Sequence, residues 1–161
     1  MRFSTLSSRH DLDSFQCGVP VLDSYIQERA SQDIKRGICA IHVLEDKDMI
    51  IGYYTLSSFT LKLTDIPPSI AKKYPKNLLL PCWLVGRLAV DQKFQGKKIG
   101  ETLLMDALRR ILELAKNVGG YCVVVDAKDD NIKPFYNKYG FKPIQGDSLR
   151  LYLPLSMIPI D

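Results

Sequence analysis

The spacing of apolar side chains along the chain predicts an alternation of helices and strands. Residues 20–36 carry an apolar side chain at every third or fourth position, which is typical of one face of a helix, and Pro20 suits its first turn. Residues 38–44 and 49–61 have the composition of strands, and the polar turn 45–48 between them predicts an antiparallel hairpin. We therefore expect a helix followed by a hairpin in the first part of the chain.

The second part of the chain alternates in the same way. Residues 82–90 form a near-continuous apolar run, as expected for a central strand that is covered on both faces. An amphipathic helix follows and stops before Gly119 and Gly120, and a short helix begins no earlier than Asp130. The remaining predicted elements are strands at residues 2–6, 121–125, 141–144 and 148–153, with a short helix inside the irregular segment 62–81. With no repeat and no linker, this order predicts one α/β (α+β) domain over residues 1–161.

Composition and charge narrow the class of protein. The 161 residues include 46% hydrophobic residues and carry a net charge of +4, which is ordinary for a globular chain and suits an anionic ligand. No apolar leader and no apolar stretch of membrane length stands out, so we expect a cytoplasmic protein without a membrane contact. The four cysteines lack metal-ligand spacing and predict reduced thiols, with no metal.

The stretch LAVDQKFQGKKIGETLL, residues 88–104, is a candidate phosphate site. It predicts a strand end, a basic loop with Gly96 and Gly100, and then a helix N-terminus, where backbone N–H groups are unpaired and the helix dipole favours negative charge. A Walker loop is excluded because no Gly-Lys-Ser/Thr ending is present, and a Rossmann fingerprint is excluded because no GxGxxG follows the first strand.

Together with FYNKYGF at residues 135–141, this stretch resembles the two signatures of the GNAT superfamily of acyl-CoA-dependent N-acetyltransferases. The resemblance implies a central mixed, mostly antiparallel sheet flanked by helices. The segments FQCGVPVLDSYIQERA, IIGYYTLSS and VGRLAVD further resemble the toxins of bacterial toxin–antitoxin pairs. That branch acetylates the amino acid on charged tRNA and is neutralised by a ribbon-helix-helix antitoxin.

The resemblance assigns site residues. Tyr136 takes the position of the general acid, with a core aromatic residue as the alternative. The strand around Val90 would pair with the pantetheine arm and polarise the thioester. The residues expected to bind acetyl-CoA are Leu88, Ala89, Val90, Gln95, Gly96, Lys97, Lys98, Ile99, Gly100, Asn131 and Phe135.

Lys98 departs from the family pattern, which has glycine at that position. At a negative φ, a lysine keeps the N–H donor and adds a cation beside the pyrophosphate. At a positive φ, affinity for CoA would fall. We expect binding to be retained, because Lys93, Lys97 and Lys98 suit a ligand with several phosphates. A second departure is Asp129, where the family often has asparagine. Asp129 or Asp130 can still cap the short helix that follows.

Residues 83–90 contain no Glu or Asp, where many lysine-directed members keep a base. An α-amine, with a pKa near 7.7–8.0, loses its proton more easily than a lysine side chain and has less need of a base. The missing carboxylate therefore favours an α-amine acceptor, which agrees with aminoacyl-tRNA. Arg87 is either an ion-paired structural cation or a contact to the acceptor's phosphates. The tentative RNA contacts are Arg87, Lys35, Arg36, Lys72, Lys73 and Lys76, for which the alternative is a solvated surface.

Two other functions stay open at this point. One is an N-acetyltransferase for a protein N-terminus, a polyamine or an antibiotic, and the other is a CoA-binding interaction protein without catalysis. The expected partners are aminoacyl-tRNA and a ribbon-helix-helix antitoxin. A homodimer is compatible with the resemblance, and the sequence does not set the oligomeric state.

Overall fold

The computed structural model describes residues 1–160 and contains a seven-stranded sheet in the order β1-β2-β3-β4-β5-β7-β6. Strands β4 and β5 pair in parallel, whereas β1–β2, β2–β3, β5–β7 and β6–β7 pair antiparallel. The strands are β1 Arg2–Thr5, β2 Ala40–Asp46, β3 Met49–Lys62, β4 Leu79–Val90, β5 Cys122–Asp126, β6 Lys142–Ile144 and β7 Asp147–Pro154. This arrangement confirms the predicted mixed, mostly antiparallel sheet with helices.

Within the described residues, five α-helices accompany the sheet. They are α1 Pro20–Ser24, α2 Ala30–Lys35, α3 Pro68–Ala71, α4 Ile99–Val118 and α5 Lys133–Asn137. The predicted helix 20–36 is present, but a π-helical turn, Tyr25–Arg29, separates α1 from α2. The N–H of Ala30 donates to the carbonyl of Tyr25, which is the wider spacing of a π-turn. Within residues 1–160, no helix is both long and apolar enough to cross a membrane.

The predicted hairpin is confirmed, with a tighter turn than expected. Strand β2 runs to Asp46 and β3 starts at Met49, so that Lys47 and Asp48 alone make the connection. Both have positive φ, 48° and 69°, as in the type I′ turn that matches the twist of two paired strands. Most positions of β2 and of the first half of β3 are buried.

The chain divides into two compact units, each of which is described by itself. The first comprises residues 1–57 and 86–107. Its core consists of Phe15, Cys17, Tyr25, Ile26, Ala30, Ile41, Val43, Ile50, Tyr53 and Ala89. The hydroxyl of Tyr54 donates to Asp106 Oδ2 at 2.6 Å and so fastens β3 to α4.

A buried carboxylate, Glu45, organises the outer edge of the first unit. Its oxygens accept hydrogen bonds from Arg9 Nη1 at 2.8 Å and Nη2 at 2.7 Å, and the ring of His10 lies 2.5 Å from Oε2. The hydrogen bonds from Arg9 lower the pKa of Glu45 far below its usual range. The carboxylate thus remains charged and holds the segment after β1 against the β2–β3 hairpin.

The second unit comprises residues 58–85 and 108–161, of which residue 161 is outside the described part. Its core consists of Leu61, Ile66, Leu80, Cys82, Cys122, Val124 and Tyr152. All four cysteines of the protein are free thiols. The ring of Trp83 lies against the backbone of Gly120, where an added Cβ would come within 2.5 Å of the indole nitrogen.

Gly52 tests the packing of α4 on β3 in the first unit. A Cβ at this position would lie 2.8 Å from Leu103 Cδ1 and 2.9 Å from the carbonyl oxygen of Ala89. Gly52→Ala is therefore expected to lower the free energy of unfolding by about 1–3 kcal/mol, measured by urea denaturation. Gly37→Asn is the control, because nothing lies within 4 Å of that Cβ and asparagine tolerates its φ of +71°. Equal losses in both variants would contradict this account of Gly52.

Candidate functional site

The end of β4 leads into the basic loop identified in the sequence. Pairing between β4 and β5 covers Cys82–Val85, and β4 continues beyond it to Val90. Asp91 then ends the strand and caps a short 3₁₀ turn, Gln92–Phe94, by accepting the N–H of Lys93 at 2.9 Å. The cap turns the chain sharply towards α4.

A set of hydrogen bonds, here called the loop clamp, fixes this turn to residues 16 and 17. Asp91 Oδ2 accepts the N–H of Gln16 at 3.1 Å, and the N–H of Gln92 donates to the Gln16 carbonyl at 2.8 Å. The side-chain amide of Gln95 donates to the carbonyls of Cys17 at 2.8 Å and Val90 at 2.9 Å. Asp91 is 5% exposed, so its charge is buried but satisfied.

The loop reaches α4 through two residues with left-handed backbone. Gly96 has φ +80° and Lys98 has φ +62°. Of the two alternatives that the sequence left for Lys98, the structure gives the positive φ, which costs a non-glycine residue roughly 1–2 kcal/mol. The lysine therefore occupies a backbone conformation that a glycine would adopt more easily.

The N-terminus of α4 can bind an anion. The carbonyl of Lys98 accepts the N–H and the hydroxyl of Thr102, both at 3.2 Å, which marks the first helical turn. The N–H groups before Thr102 have no acceptor within the helix. Lys93, Lys97 and Lys98 are exposed beside them, so the lysine charges and the helix dipole both favour a negatively charged ligand.

Arg87 lies on the ring of Tyr25 in the first unit. Its guanidinium carbon is 3.5 Å from the ring centroid, and the Tyr25 hydroxyl donates to the buried carboxylate of Asp33 at 2.8 Å. Across the described chain, no carboxylate comes within ion-pairing distance of Arg87. The ion-paired alternative for Arg87 is thus absent there, and the stacked guanidinium keeps its N–H donors for a ligand.

The second unit contains the predicted acid, Tyr136, on α5. Asp129 accepts the N–H groups of Asn131 at 2.9 Å and Ile132 at 3.3 Å, and this cap starts the turn that leads into α5, as predicted. Tyr136 is 4% exposed, between the edges of Phe135 and Phe141. Burial, and then the carboxylate of Asp126, raises the pKa of Tyr136 above its ordinary value, so the phenol keeps its proton at neutral pH.

Arg150 neutralises Asp126 in the same unit. Its Nε and Nη2 donate to the two carboxylate oxygens at 2.7 and 3.1 Å, across the paired strands β5 and β7. The guanidinium also lies over the ring of Phe59, with 4.7 Å from its central carbon to the ring centroid. This bidentate pair limits how strongly the Asp126 charge acts on Tyr136.

The predicted site residues fall into two groups. The first unit brings together Arg87, Leu88, Ala89, Val90, Gln95, Gly96, Lys97, Lys98, Ile99 and Gly100, and the second contains Asn131, Phe135 and Tyr136. Among the tentative RNA contacts, Lys35 and Arg36 are in the first unit and Lys72, Lys73 and Lys76 in the second, all exposed. No cluster of three metal-ligating side chains occurs within residues 1–160.

Sequence reasoning missed two parts of the site. The clamp residues Gln16 and Asp91 are far apart in the chain, and the only local signal was an aspartate directly after a strand, a typical cap position. The contact of Tyr25 with Arg87 had no signal, because Tyr25 was assigned to the apolar face of an ordinary helix.

Comparisons with known proteins agree with this geometry. A family model described as the acetyltransferase (GNAT) domain matches residues 37–143. A tRNA-acetylating toxin of Mycobacterium tuberculosis (strain ATCC 25618 / H37Rv) is 32% identical over 148 residues, covering 92% of this chain and 88% of that protein. A probable toxin TacT of Sinorhizobium fredii (strain NBRC 101917 / NGR234) is 28% identical over 160 residues, covering 94% and 88%.

A solved structure has the same fold over nearly the whole chain. AtaT complexed with acetyl-methionyl-tRNAfMet has a TM-score of 0.88 at 26% identity, covering 96% of this chain and 95% of that chain. The family model spans more than half of the residues, and the matched range includes the clamped loop and the helix with Tyr136. The chain therefore belongs to the GNAT family of acetyltransferases.

Proposed function

We propose that this acetyltransferase moves the acetyl group of acetyl-CoA to the α-amine of aminoacyl-tRNA and so blocks translation as a toxin. The observation that carries the proposal is the clamped loop 91–98, which presents a helix N-terminus and three lysines to an anion. The tRNA-acetylating relative and the AtaT complex support the acceptor. The protein would act in the cytoplasm and be neutralised by a ribbon-helix-helix antitoxin.

Acetyl-CoA would be held mainly by backbone groups of the first unit. The N–H groups of residues 96–100 bind the pyrophosphate, and Lys93, Lys97 and Lys98 attract its charge. Leu88, Ala89 and Val90 pair with the amides of the pantetheine arm as an added strand would, and an N–H near Val90 polarises the thioester carbonyl. Gln95 shapes the loop, since its side-chain amide already donates to two carbonyls. Asn131 and Phe135 complete the proposed contacts.

Tyr136 supplies the proton for the departing thiolate. The neutral amine attacks the carbonyl carbon of the thioester, the C–S bond breaks, and the sulfur takes the phenolic proton. The proton that the amine loses goes to water, and the phenolate of Tyr136 regains a proton from water, so the products are the acetylated amine and the free thiol of CoA. A buried phenol with a raised pKa is protonated before the reaction, as this role requires.

The type of acceptor amine is inferred from the lack of a carboxylate base on strand β4. No carboxylate occurs in residues 83–90, and an α-amine is already partly neutral at pH 7. A protein N-terminus would meet the same requirement, so it is the second candidate acceptor. Arg87 favours tRNA, because an unpaired guanidinium on an aromatic ring suits a phosphate. The lysines and arginine at positions 35, 36, 72, 73 and 76 would add further phosphate contacts.

Tyr136→Phe removes the proposed acid and keeps the ring. Turnover with charged tRNA is expected to fall by at least about tenfold, because a positioned acid typically contributes about 10² to 10⁴. Affinity for acetyl-CoA, measured by isothermal titration calorimetry, should not change. Tyr139→Phe is the matched control, since Tyr139 belongs to the same aromatic cluster and has no proposed role. Unchanged turnover in Tyr136→Phe would remove Tyr136 from the mechanism.

Lys98→Gly separates the backbone effect of Lys98 from its charge. The free energy of unfolding is expected to rise by about 1 kcal/mol, since glycine adopts the positive φ without a steric cost. The strained φ of Lys98 is already present without a ligand, so the lost charge decides the expected effect on binding. Affinity for acetyl-CoA should fall roughly two- to fivefold at low salt and less at high salt, because one exposed cation is lost.

The control for Lys98→Gly is Lys97→Gly, the neighbouring residue, whose φ is not positive. It should lower stability by about 0.5–1 kcal/mol while losing the same charge. Tighter acetyl-CoA binding in Lys98→Gly at every salt concentration would show that the lysine side chain obstructs the ligand, against the proposal.

Arg87→Gln tests the contact to the acceptor. Affinity for charged tRNA should fall, and the slope of log K against log salt should become shallower by about one phosphate contact, roughly 0.7–0.9. Acetyl-CoA affinity should stay the same. Lys142→Gln, an exposed lysine outside the proposed site, is the control. A slope that is identical in Arg87→Gln and the unmodified protein would rule out a phosphate contact.

A further inference from the structure

Two of the free cysteines face each other in the core of the second unit. Cys82 on β4 and Cys122 on β5 are register partners in the parallel pairing, and their sulfur atoms are 3.3 Å apart. Neighbouring strands lie about 4.8 Å apart, inside the roughly 4.4–6.8 Å that Cα atoms span in a disulfide. A bond between the two sulfurs therefore needs side-chain rotation and no rearrangement of the strands.

One of these cysteines borders a cavity in the second unit. The cavity has a volume of about 530 Å³, and its lining includes Cys82, Phe59, Trp83 and Val118. Both cysteines are buried, Cys82 at 3% and Cys122 at 0% exposure, and Cys122 is not among the lining residues. Since Cys82 borders the cavity and Cys122 does not, Cys82 is the member of the pair that a small oxidant in the cavity would contact.

The hydrogen bonds of the pair also differ. The Cys122 thiol donates to the sulfur of Cys82, and the Cys82 thiol donates to the carbonyl of Leu80 at 3.3 Å. The hydrogen bond from Cys122 lowers the pKa of Cys82, whereas the same contact and burial raise the pKa of Cys122. The thiolate is the reactive form of cysteine, so these hydrogen bonds favour Cys82 as the nucleophile.

We propose that Cys82 and Cys122 form a redox pair, in which a hydroperoxide entering the cavity oxidises Cys82 and Cys122 then closes a disulfide. The Cys82 thiolate attacks the peroxide, the O–O bond breaks, and Cys82 sulfenic acid and hydroxide form. The Cys122 thiol then attacks the sulfenic sulfur and releases water. In total, two thiols and one hydrogen peroxide give one disulfide and two waters.

The other two thiols serve as internal controls. Cys17 is buried, and burial together with Asp23 raises its pKa to about 11. Cys39 is more exposed and lies 3.4 Å from the hydroxyl of Tyr25. Neither has a thiol partner among the described residues, so oxidation of Cys17 or Cys39 would not produce an internal disulfide in the folded chain.

The test treats the folded full chain with hydrogen peroxide, alkylates the remaining thiols with N-ethylmaleimide, and maps the peptides by mass spectrometry without reduction. A Cys82–Cys122 cross-linked peptide is expected, and dithiothreitol should remove it. Cys17→Ser and Cys39→Ser should form the same cross-link. A cross-link that appears only after unfolding in urea, or no cross-link while Cys39 is oxidised, would overturn the proposal.

Single variants assign the order of the two steps. In Cys122→Ser, the sulfenic acid of Cys82 has no resolving thiol and should be trapped by dimedone. In Cys82→Ser, dimedone labelling of Cys122 should be at least about tenfold weaker than the labelling of Cys82 in Cys122→Ser. A buried thiol with a raised pKa has little thiolate, so it reacts slowly with peroxide. Circular dichroism of both variants checks that they are folded. Equal labelling of the two variants would refute Cys82 as the thiol that is attacked first.

Discussion

The loop clamp is the interaction on which the candidate site depends. A strand that must become a helix N-terminus within a few residues leaves several backbone groups unpaired, and each costs free energy if it is buried without a partner. In the first unit, the side chains of Asp91 and Gln95 form hydrogen bonds with these backbone groups, both at residues 16 and 17 and within their own loop. The first N–H groups of α4 are thereby left facing solvent, where an anion can reach them.

The proposed chemistry combines a buried phenol, Tyr136, with a strand segment, residues 83–90, that has no carboxylate. Burial raises the pKa of Tyr136, so the phenol is protonated at neutral pH and has a proton to donate to the departing thiolate. The pairing of Asp126 with Arg150 keeps a second charge in that unit satisfied. A site of this kind suits an acceptor that arrives already neutral, and an α-amine meets that condition better than a lysine side chain.

Sequence patterns predicted the features that local signals encode. The polar turn predicted the β2–β3 hairpin, and apolar periodicity predicted α4. Asp129 was a predicted cap residue for the short helix that became α5. The features that were missed depend on partners distant in the chain: Gln16 with Asp91, Tyr25 with Arg87, and Cys82 with Cys122. The π-turn was missed because its apolar spacing is close to that of an α-helix, and one extra residue per turn hardly changes the pattern.

Lys98 shows how a site can retain a locally unfavourable residue. Its positive φ costs roughly 1–2 kcal/mol, yet it lies between Gly96, which turns the loop, and Ile99, which is anchored in the core. The loop clamp and the burial of α4 fix both sides, so the backbone at position 98 has little freedom to relax. A glycine would remove the strain but also one of the three cations beside the helix N-terminus. The strained backbone of Lys98 thus accompanies an additional positive charge beside a helix N-terminus whose dipole favours anions.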